Sequence, residues 1–281
     1  MASLLALLSS LLWGSADYRA GNLSKNHPAI AVLGTSQVIG LLTGIFLMTV
    51  NGEWSVNAFG TGGYFLPGVA AGLCGYVGLI CLYAGLSTGR MGVVSPVSSL
   101  SALIPFIYAI VFKDNRLSTV LLIGALLAVA GAFFASGPEL SQGLPVKPLL
   151  LALSAAAGFG SALIAMAIGS EGSALATMTM MRATTFVVSL GIFLRFRHVG
   201  GLGKKQLPIL IFIGVSDFLA NLLLGVATTK GILALAMVLG ALYPIATVVL
   251  AFRFLHERLH KVQYLGIIFA VSGVAIISAF Q

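Results

Sequence analysis

Long apolar stretches alternate with short polar breaks along almost the whole chain. A helix needs about 20 mainly apolar residues to cross a hydrocarbon core of ~30 Å, and ten stretches are of about that length. The breaks between them hold most of the charge and many turn-forming residues. The pattern predicts ten membrane-spanning helices, at residues 2–20, 29–50, 63–86, 91–112, 118–136, 148–168, 173–194, 206–229, 231–254 and 261–280.

The composition agrees with an all-α integral membrane protein. Hydrophobic residues make up 59% of the 281 positions, charged residues only 8%, and the mean hydropathy is +1.08. Soluble domains average about 25% charged residues, so a soluble fold is excluded. The net charge of +8 could indicate a nucleic-acid partner. The basic residues are, however, dispersed among short loops between apolar spans, so we expect none.

An internal duplication divides the chain. Residues 87–136 align with 229–278 at a constant offset of 142, without a gap and with twelve of fifty positions identical. A weaker match extends upstream, where the WGSA at 13–16 pairs with the FGSA at 159–162. The matched pairs also include Arg116 with Arg258, Gly124 with Gly266, Gly131 with Gly273 and Gln37 with Arg182.

The duplication predicts two five-helix repeats, at residues 1–138 and 147–281. An odd number of spans makes the second copy enter the membrane from the side opposite to the first, so the repeats are inverted. Inverted repeats with a binding site between them near the bilayer midplane are typical of secondary transporters that work by alternating access.

Several short motifs fit this architecture, namely Trp-Gly at 13–14, Leu-Tyr-Pro at 242–244 and His-Glu-Arg-Leu at 256–259. With them, the chain resembles the EamA-type family of the drug/metabolite transporter superfamily. The resemblance implies a basket of helices around a central cavity and export of a small metabolite, such as an amino acid or related compound. It further implies a multi-pass protein of a cell membrane, such as the bacterial inner membrane.

As partners we expect the lipid bilayer, a small-molecule substrate and, if transport is coupled, protons. We expect no cofactor, no metal and no enzymatic activity, and the chain could act as a monomer or a homodimer. The substrate, the coupling and the direction of transport are not determined by the sequence.

Three charged residues inside predicted spans are the main site candidates: Asp17, Arg182 and Asp217. A charge at the bilayer centre costs at least about 2.5–3.5 kcal/mol on insertion scales, so such residues usually face the bundle interior. Asp217, with Asn221 one turn later, could exchange protons or form a fixed ion pair with Arg182. Arg182 could instead attract a substrate carboxylate or be satisfied by helix-end carbonyls. Asp17 lies near a span end and could reach the interface by snorkelling.

Other residues are candidates because of their chemistry. Aromatic rings could wall a ligand site, and polar side chains could line it. Prolines within or at the start of spans produce kinks that suit gates. The aromatic candidates are Trp13, Tyr76 and Tyr243; the polar candidates are Gln37, Ser95, Ser98 and Ser99; the gating prolines are Pro96, Pro105 and Pro244.

The stretch His256-Glu257-Arg258-Leu259-His260 fits the HExxH pattern of zinc proteases, in which two histidines one helical turn apart hold the metal. The duplication superposes it on DNRLS at 114–118, which contains no histidine, and no third zinc ligand is evident. We interpret it as a hinge before the last span. A zinc metalloprotease and a structural membrane protein remain as alternatives.

The basic residues leave the orientation open. Lys and Arg number eleven in the odd-numbered loops and three in the even-numbered loops. The positive-inside rule then places both termini outside. Members of the resembled family are more often drawn with both termini in the cytoplasm.

Overall fold

The computed structural model describes residues 1–24, 26–86, 94, 97–113, 117–135, 146–196, 202–255 and 260–280, and all regular structure within these residues is helical. In chain order the helices are α1 (Ala2–Ser24), α2 (Ala29–Asn51), α3 (Phe65–Leu86), α4 (Leu103–Phe112), α5 (Thr119–Ala135), α6 (Val146–Phe196), α7 (Leu207–Lys230), α8 (Leu233–Gly240), α9 (Tyr243–Leu255) and α10 (Lys261–Phe280). Short 3-10 turns occupy Glu53–Ser55, Leu100–Ala102 and Lys204–Gln206.

Helices are expected here because a bilayer offers no water to the backbone, and a helix satisfies its own N–H and C=O groups. Five helical segments of the described chain are long and apolar enough to cross a membrane: Ile30–Asn51, Phe65–Leu82, Val146–Arg195, Lys204–Lys230 and Leu233–Phe254. Many large apolar side chains lie on the outside, among them Leu42, Phe46 and Leu66. The protein is therefore a multi-pass membrane protein, while the count of ten spans stays a prediction.

The helices have three breaks, one at a predicted boundary between spans and two inside predicted spans. Ser173 has extended backbone angles (φ −152°, ψ 115°) inside α6 and divides it into α6a (146–172) and α6b (174–196), where the sequence predicts a boundary between two spans. The predicted ninth span is interrupted at 241–242, between α8 and α9, and the fourth by the 3-10 turn that precedes α4. The last two interruptions lie about 142 positions apart, so they occupy matched positions of the duplication.

Helices α5 and α10 pack through reciprocal glycine contacts. A Cβ atom on Gly131 would lie 2.4 Å from the backbone nitrogen of Ala270, and one on Gly273 would lie 2.6 Å from that of Ala128. Gly131 matches Gly273 and Ala128 matches Ala270 at the offset of 142, so each contact is the counterpart of the other. Residue numbers rise along α5 as they fall along α10, so these matched helices run antiparallel.

A second reciprocal contact joins the N-terminal and C-terminal parts of the chain. A Cβ on Gly72 of α3 would lie 2.9 Å from the carbonyl oxygen of Met181 on α6b, and one on Gly214 of α7 would lie 2.6 Å from that of Ser36 on α2. Gly72 and Gly214 are 142 positions apart, and Ser36 and Met181 are 145 apart, the offset that also relates Gln37 to Arg182. Thus α3 packs on α6b in the way that α7 packs on α2.

The close approach of α5 and α10 predicts that Gly131→Ala destabilises the protein by about 1–3 kcal/mol, the usual cost of overpacking a tight interface. Thermal unfolding of the purified protein in detergent measures this. Gly191→Ala is the matched control, because nothing lies within 4 Å of its Cβ position and alanine favours the helix. Equal melting temperatures for the two variants would contradict the interface described here.

Candidate functional site

An ion pair between Arg182 of α6b and Asp217 of α7 forms the centre of the site. Nη2 of Arg182 lies 2.8 Å from Oδ2 of Asp217, and the two side chains are 6% and 25% exposed. Nη1 of Arg182 donates a hydrogen bond of 2.6 Å to Oε1 of Gln37 on α2. Of the two roles that the sequence left open for Asp217, the ion pair with Arg182 is thus present.

Asp217 has further partners on α1 and on its own helix. Nε1 of Trp13 donates to its Oδ1 at 3.1 Å. The amide nitrogen of Asn221, one turn along α7, donates to the Asp217 carbonyl oxygen at 2.7 Å and lies 3.3 Å from Oδ1. Both carboxylate oxygens therefore have donors, and Asp217 joins α1 to α6b.

Small residues bring these helices close enough for such contacts. A Cβ on Gly14 of α1 would lie 2.5 Å from the Cβ of Ala246 on α9, and the hydroxyl of Ser9 donates to the Ala220 carbonyl of α7 at 2.7 Å. Helix α1 is thereby held against both α7 and α9. Trp13 in consequence meets Tyr243 at the start of α9, with ring centroids 6.0 Å apart and planes at 72°.

Asp17 lies one turn beyond Trp13 on the same face of α1. Its side chain is exposed, although this face lies opposite the exposed Leu4, Leu8 and Leu11 that mark the lipid side of the helix. Asp17 is close enough to Asp217 and Tyr243 to interact with both electrostatically. It forms no hydrogen bond or ion pair with any other described residue. Its carboxylate is therefore open on the inner side of α1.

Other predicted site residues lie elsewhere. Tyr76 is 4% exposed and its hydroxyl accepts a hydrogen bond of 3.2 Å from Ser189, so it packs between α3 and α6b and is not part of the ion-pair network. Ser98 is buried and donates to the carbonyl of Val94, and Ser99 is buried beside it. No contact of these three with Arg182 or Asp217 is present, and their role in binding stays a prediction.

Of the three gating prolines predicted from the sequence, two lie within the described residues. Pro105 is the third residue of α4, directly after a 3-10 turn, and Pro244 is the second residue of α9, a position where the N–H has no helical partner. Both follow the interruptions of the fourth and ninth predicted spans, while gating by them stays a prediction. Ser95, Pro96 and residues 256–259 of the HExxH pattern lie outside the described residues. Within the described part of the chain, no three His, Cys, Asp or Glu side chains form a metal-binding group.

The sequence reading missed two features. Thr185, one turn after Arg182, places its hydroxyl 3.0 Å from Oε1 of Gln37 and extends the network; its spacing on the arginine face was the available signal. The second is an ion pair between Lys113 and Glu171, with Nζ and Oε1 2.6 Å apart and side chains 35% and 56% exposed. The hydrogen bond to Glu171 raises the pKa of the Lys113 ammonium.

The Lys113–Glu171 pair marks one end of the helix bundle. It borders a cavity of about 190 Å³ that Tyr108 and Thr228 also line. At the same end the hydroxyl of Ser173 donates to Oε2 of Glu53 at 2.6 Å. None of the residues lining this cavity belongs to the Arg182–Asp217 network. The cavity and the network are separate features.

A comparison with models of protein families gives one match, which occurs twice along the chain. The model of the EamA-like transporter family covers residues 1–137 and again residues 146–279. The chain belongs to the EamA-like transporter family. Members of this family are transporters and not enzymes, and the family is part of the drug/metabolite transporter superfamily. The predicted family is thereby confirmed.

Solved structures support the fold of this EamA-like chain. One crystal structure shares 18% of its residues with the chain, covers 99% of this chain and 96% of its own, and superposes with a TM-score of 0.82. At this identity the likeness concerns the fold alone. A search of curated proteins found no significant match.

The buried ion pair predicts that Asp217→Asn destabilises the protein, because it leaves the Arg182 guanidinium without a counter-charge. We expect about 3 kcal/mol, the lower end for breaking a buried pair, since Asp217 is partly exposed. Unfolding in detergent measures the loss. The double variant Asp217→Asn/Arg182→Gln should recover much of it, and strictly additive effects of the two single changes would contradict a coupled pair.

Proposed function

We propose that this EamA-like protein is a secondary transporter that exports a small metabolite, an amino acid or related compound, from a cell such as a bacterium across its inner membrane. Transport proceeds by alternating access through a central pathway between two inverted five-helix repeats, residues 1–138 and 147–281. The observation that carries the proposal is the network of Arg182, Asp217 and Gln37, which sets ionised groups in the middle of apolar helices at the contact between the repeats.

The reciprocal packing supports the inverted arrangement. Matched helices of the duplication, α5 and α10, run antiparallel and exchange equivalent glycine contacts, as a two-fold axis in the membrane plane requires. Gln37 and Arg182 occupy matched positions and contact each other, so the same axis passes near the ionic network. A site on such an axis contacts both repeats and can open to either side as they move.

The interrupted helices support a substrate site at this depth. Transporters commonly form such sites where spans are broken, because freed backbone groups then meet the ligand. Here α9 begins at Tyr243, against Trp13 of the network. The interruption before α4 occupies the matched position in the other repeat. Both repeats therefore depart from a regular α-helix at matched positions of the duplication.

The Lys113–Glu171 ion pair supports a state in which the pathway is closed at the end of the bundle that contains this pair. It joins the residue after α4 in the first repeat to the last turn of α6a in the second, and Ser173, at the break after α6a, donates to Glu53 of the first repeat. Asp17, in contrast, is open. We assign the structure to a state in which the pathway is closed at the Lys113 end and open at the Asp17 end.

Flux measurements test the function directly. The purified chain in proteoliposomes should move at least one metabolite from a panel of amino acids, amines and related compounds, assayed with and without a pH gradient. Flux should persist in the presence of a zinc chelator, and the protein should contain no stoichiometric zinc. Zinc that is lost on mutation of His256 or His260, together with peptide cleavage, would favour the protease alternative.

Absence of flux for the whole panel, with the protein shown to be folded, would favour the structural alternative. Arg182→Gln/Asp217→Asn is the informative variant here. It removes both charges of the ion pair, so neither Arg182 nor Asp217 is left without its partner, and the variant should fold and yet lose most of the flux. Full flux in this variant would remove the network from the mechanism.

The closed end predicts a measurable gate. Glu171→Lys replaces an attraction with a repulsion beside Lys113 and should lower the population closed at this end by up to about fivefold, the scale of exposed ion pairs. Labelling of a cysteine placed at Thr228, in the cavity, reports the opening. The swapped variant Lys113→Glu/Glu171→Lys should restore the slow labelling. Rapid labelling in the swapped variant would exclude an ionic latch.

A further inference from the structure

The network neutralises its own positive charge. Arg182 is 6% exposed, its Nη2 faces the Asp217 carboxylate and its Nη1 faces the Gln37 amide oxygen. A guanidinium so enclosed cannot meet the carboxylate of a substrate unless it first breaks the pair. The sequence-based role of Arg182 as an anion receptor is therefore disfavoured by the geometry.

One negative charge is left accessible. Asp17 is exposed on the inner face of α1, and no cationic side chain of the described residues pairs with it. Its neighbours are Asp217, which already faces Arg182, and Tyr243. The charges of Arg182 and Asp217 neutralise each other. The charged group that a ligand can reach is therefore the Asp17 carboxylate.

Aromatic rings stand beside this carboxylate. Trp13 lies one turn from Asp17 on the same face, and its indole N–H is fixed on Asp217, so the orientation of the ring is set before a ligand arrives. Tyr243 stands edge-on to it, and both rings are half-buried. Ring faces attract cations, and this attraction grows where water is excluded. A carboxylate flanked by two rings matches an ammonium group.

We infer that Asp17, Trp13 and Tyr243 form a subsite for the ammonium group of the substrate, and that the transported compound is an organic cation without a carboxylate. The inference rests on the proposed function and narrows its substrate class to amines related to amino acids. An amino acid would place its own carboxylate near Asp17 and Asp217, with the guanidinium already occupied, so decarboxylated compounds bind better than their parent zwitterions.

Binding can be measured without transport on the full chain in detergent. The chain has two tryptophans, and Trp54 is exposed in the loop after α2, so Trp54→Phe leaves Trp13 as the only indole reporter. Butylamine, phenethylamine and tetramethylammonium are titrated against norvaline, phenylalanine and betaine, their counterparts that carry a carboxylate. At least one amine should change the Trp13 emission and bind about tenfold or more tightly than its counterpart.

Two substitutions localise the effect. Asp17→Asn should weaken amine binding by at least about tenfold, whereas Glu139→Gln, which removes one carboxylate from the sequence segment that links residues 138 and 147, should change it less than about twofold. Tyr243→Leu should weaken it about threefold or more, and Tyr264→Leu on α10, where the ring is exposed, is its control. The Tyr243 comparison keeps the test decisive should Asp17→Asn fail to fold.

The results of the binding and flux experiments distinguish failure of the ammonium subsite from failure of the proposed transport function. Flux of zwitterions or anions, with no amine binding, overturns the ammonium subsite and leaves the transporter standing. Amine binding that depends on Asp17, without flux of any compound, supports the subsite and overturns the transporter. Amine binding that is unchanged in the folded Asp17→Asn variant overturns the subsite.

Discussion

The arrangement of the helices in the middle of this molecule depends on one constraint, the charge of Arg182, which is enclosed among apolar helices. An ionised group out of reach of water has to be met by an opposite charge and by hydrogen-bond acceptors. These come from separate parts of the chain, since Asp217 is on α7 and Gln37 on α2. Trp13 on α1 in turn supports Asp217. One charge thus fixes the mutual position of four helix segments.

Apolar burial alone could not hold these segments in register, because lipid tails are as apolar as the side chains they would replace. The close approach of helix backbones at glycine residues fixes the register instead. Gly44 of α2 faces Thr179 and Phe218 so tightly that a Cβ atom would lie 2.5 Å from the threonine hydroxyl, and this contact brings Gln37 within reach of Arg182. Fine packing and ionic pairing therefore depend on each other.

Much of the fold could be predicted from the sequence, because apolar runs, polar breaks and the duplication are local or periodic signals. Polar breaks predict helix ends near 51, 112 and 230, and the structure has helix boundaries there. Around the interruption at 241–242 the sequence predicts only a kink at Pro244, and the apolar residues on both sides hide the full break between Gly240 and Tyr243. The number of membrane crossings and their inversion remain predictions.

The sequence predicts many of the residues in the site better than it predicts which of them contact each other. An acid and a base inside apolar spans are conspicuous, and their pairing was one of two readings that the residues allowed. Which side of each helix faces the network could not be predicted, so Tyr76 was grouped with residues that it does not contact. The bond from Trp13 to Asp217 spans 204 positions and depends on how α1 lies against α7. Sequence spacing carries no information on such a contact.

The pairing of Gly131 with Ala270 and of Gly273 with Ala128 gives α5 and α10 the character of an isologous interface, in which one surface recognises its own copy. The residues of such a surface cannot be substituted independently of each other. A larger side chain at position 131 demands room at 270, and the equivalent change at 273 demands it at 128. The two gene segments that encode these helices therefore constrain each other's evolution. A substitution in one helix restricts which substitutions the other helix tolerates.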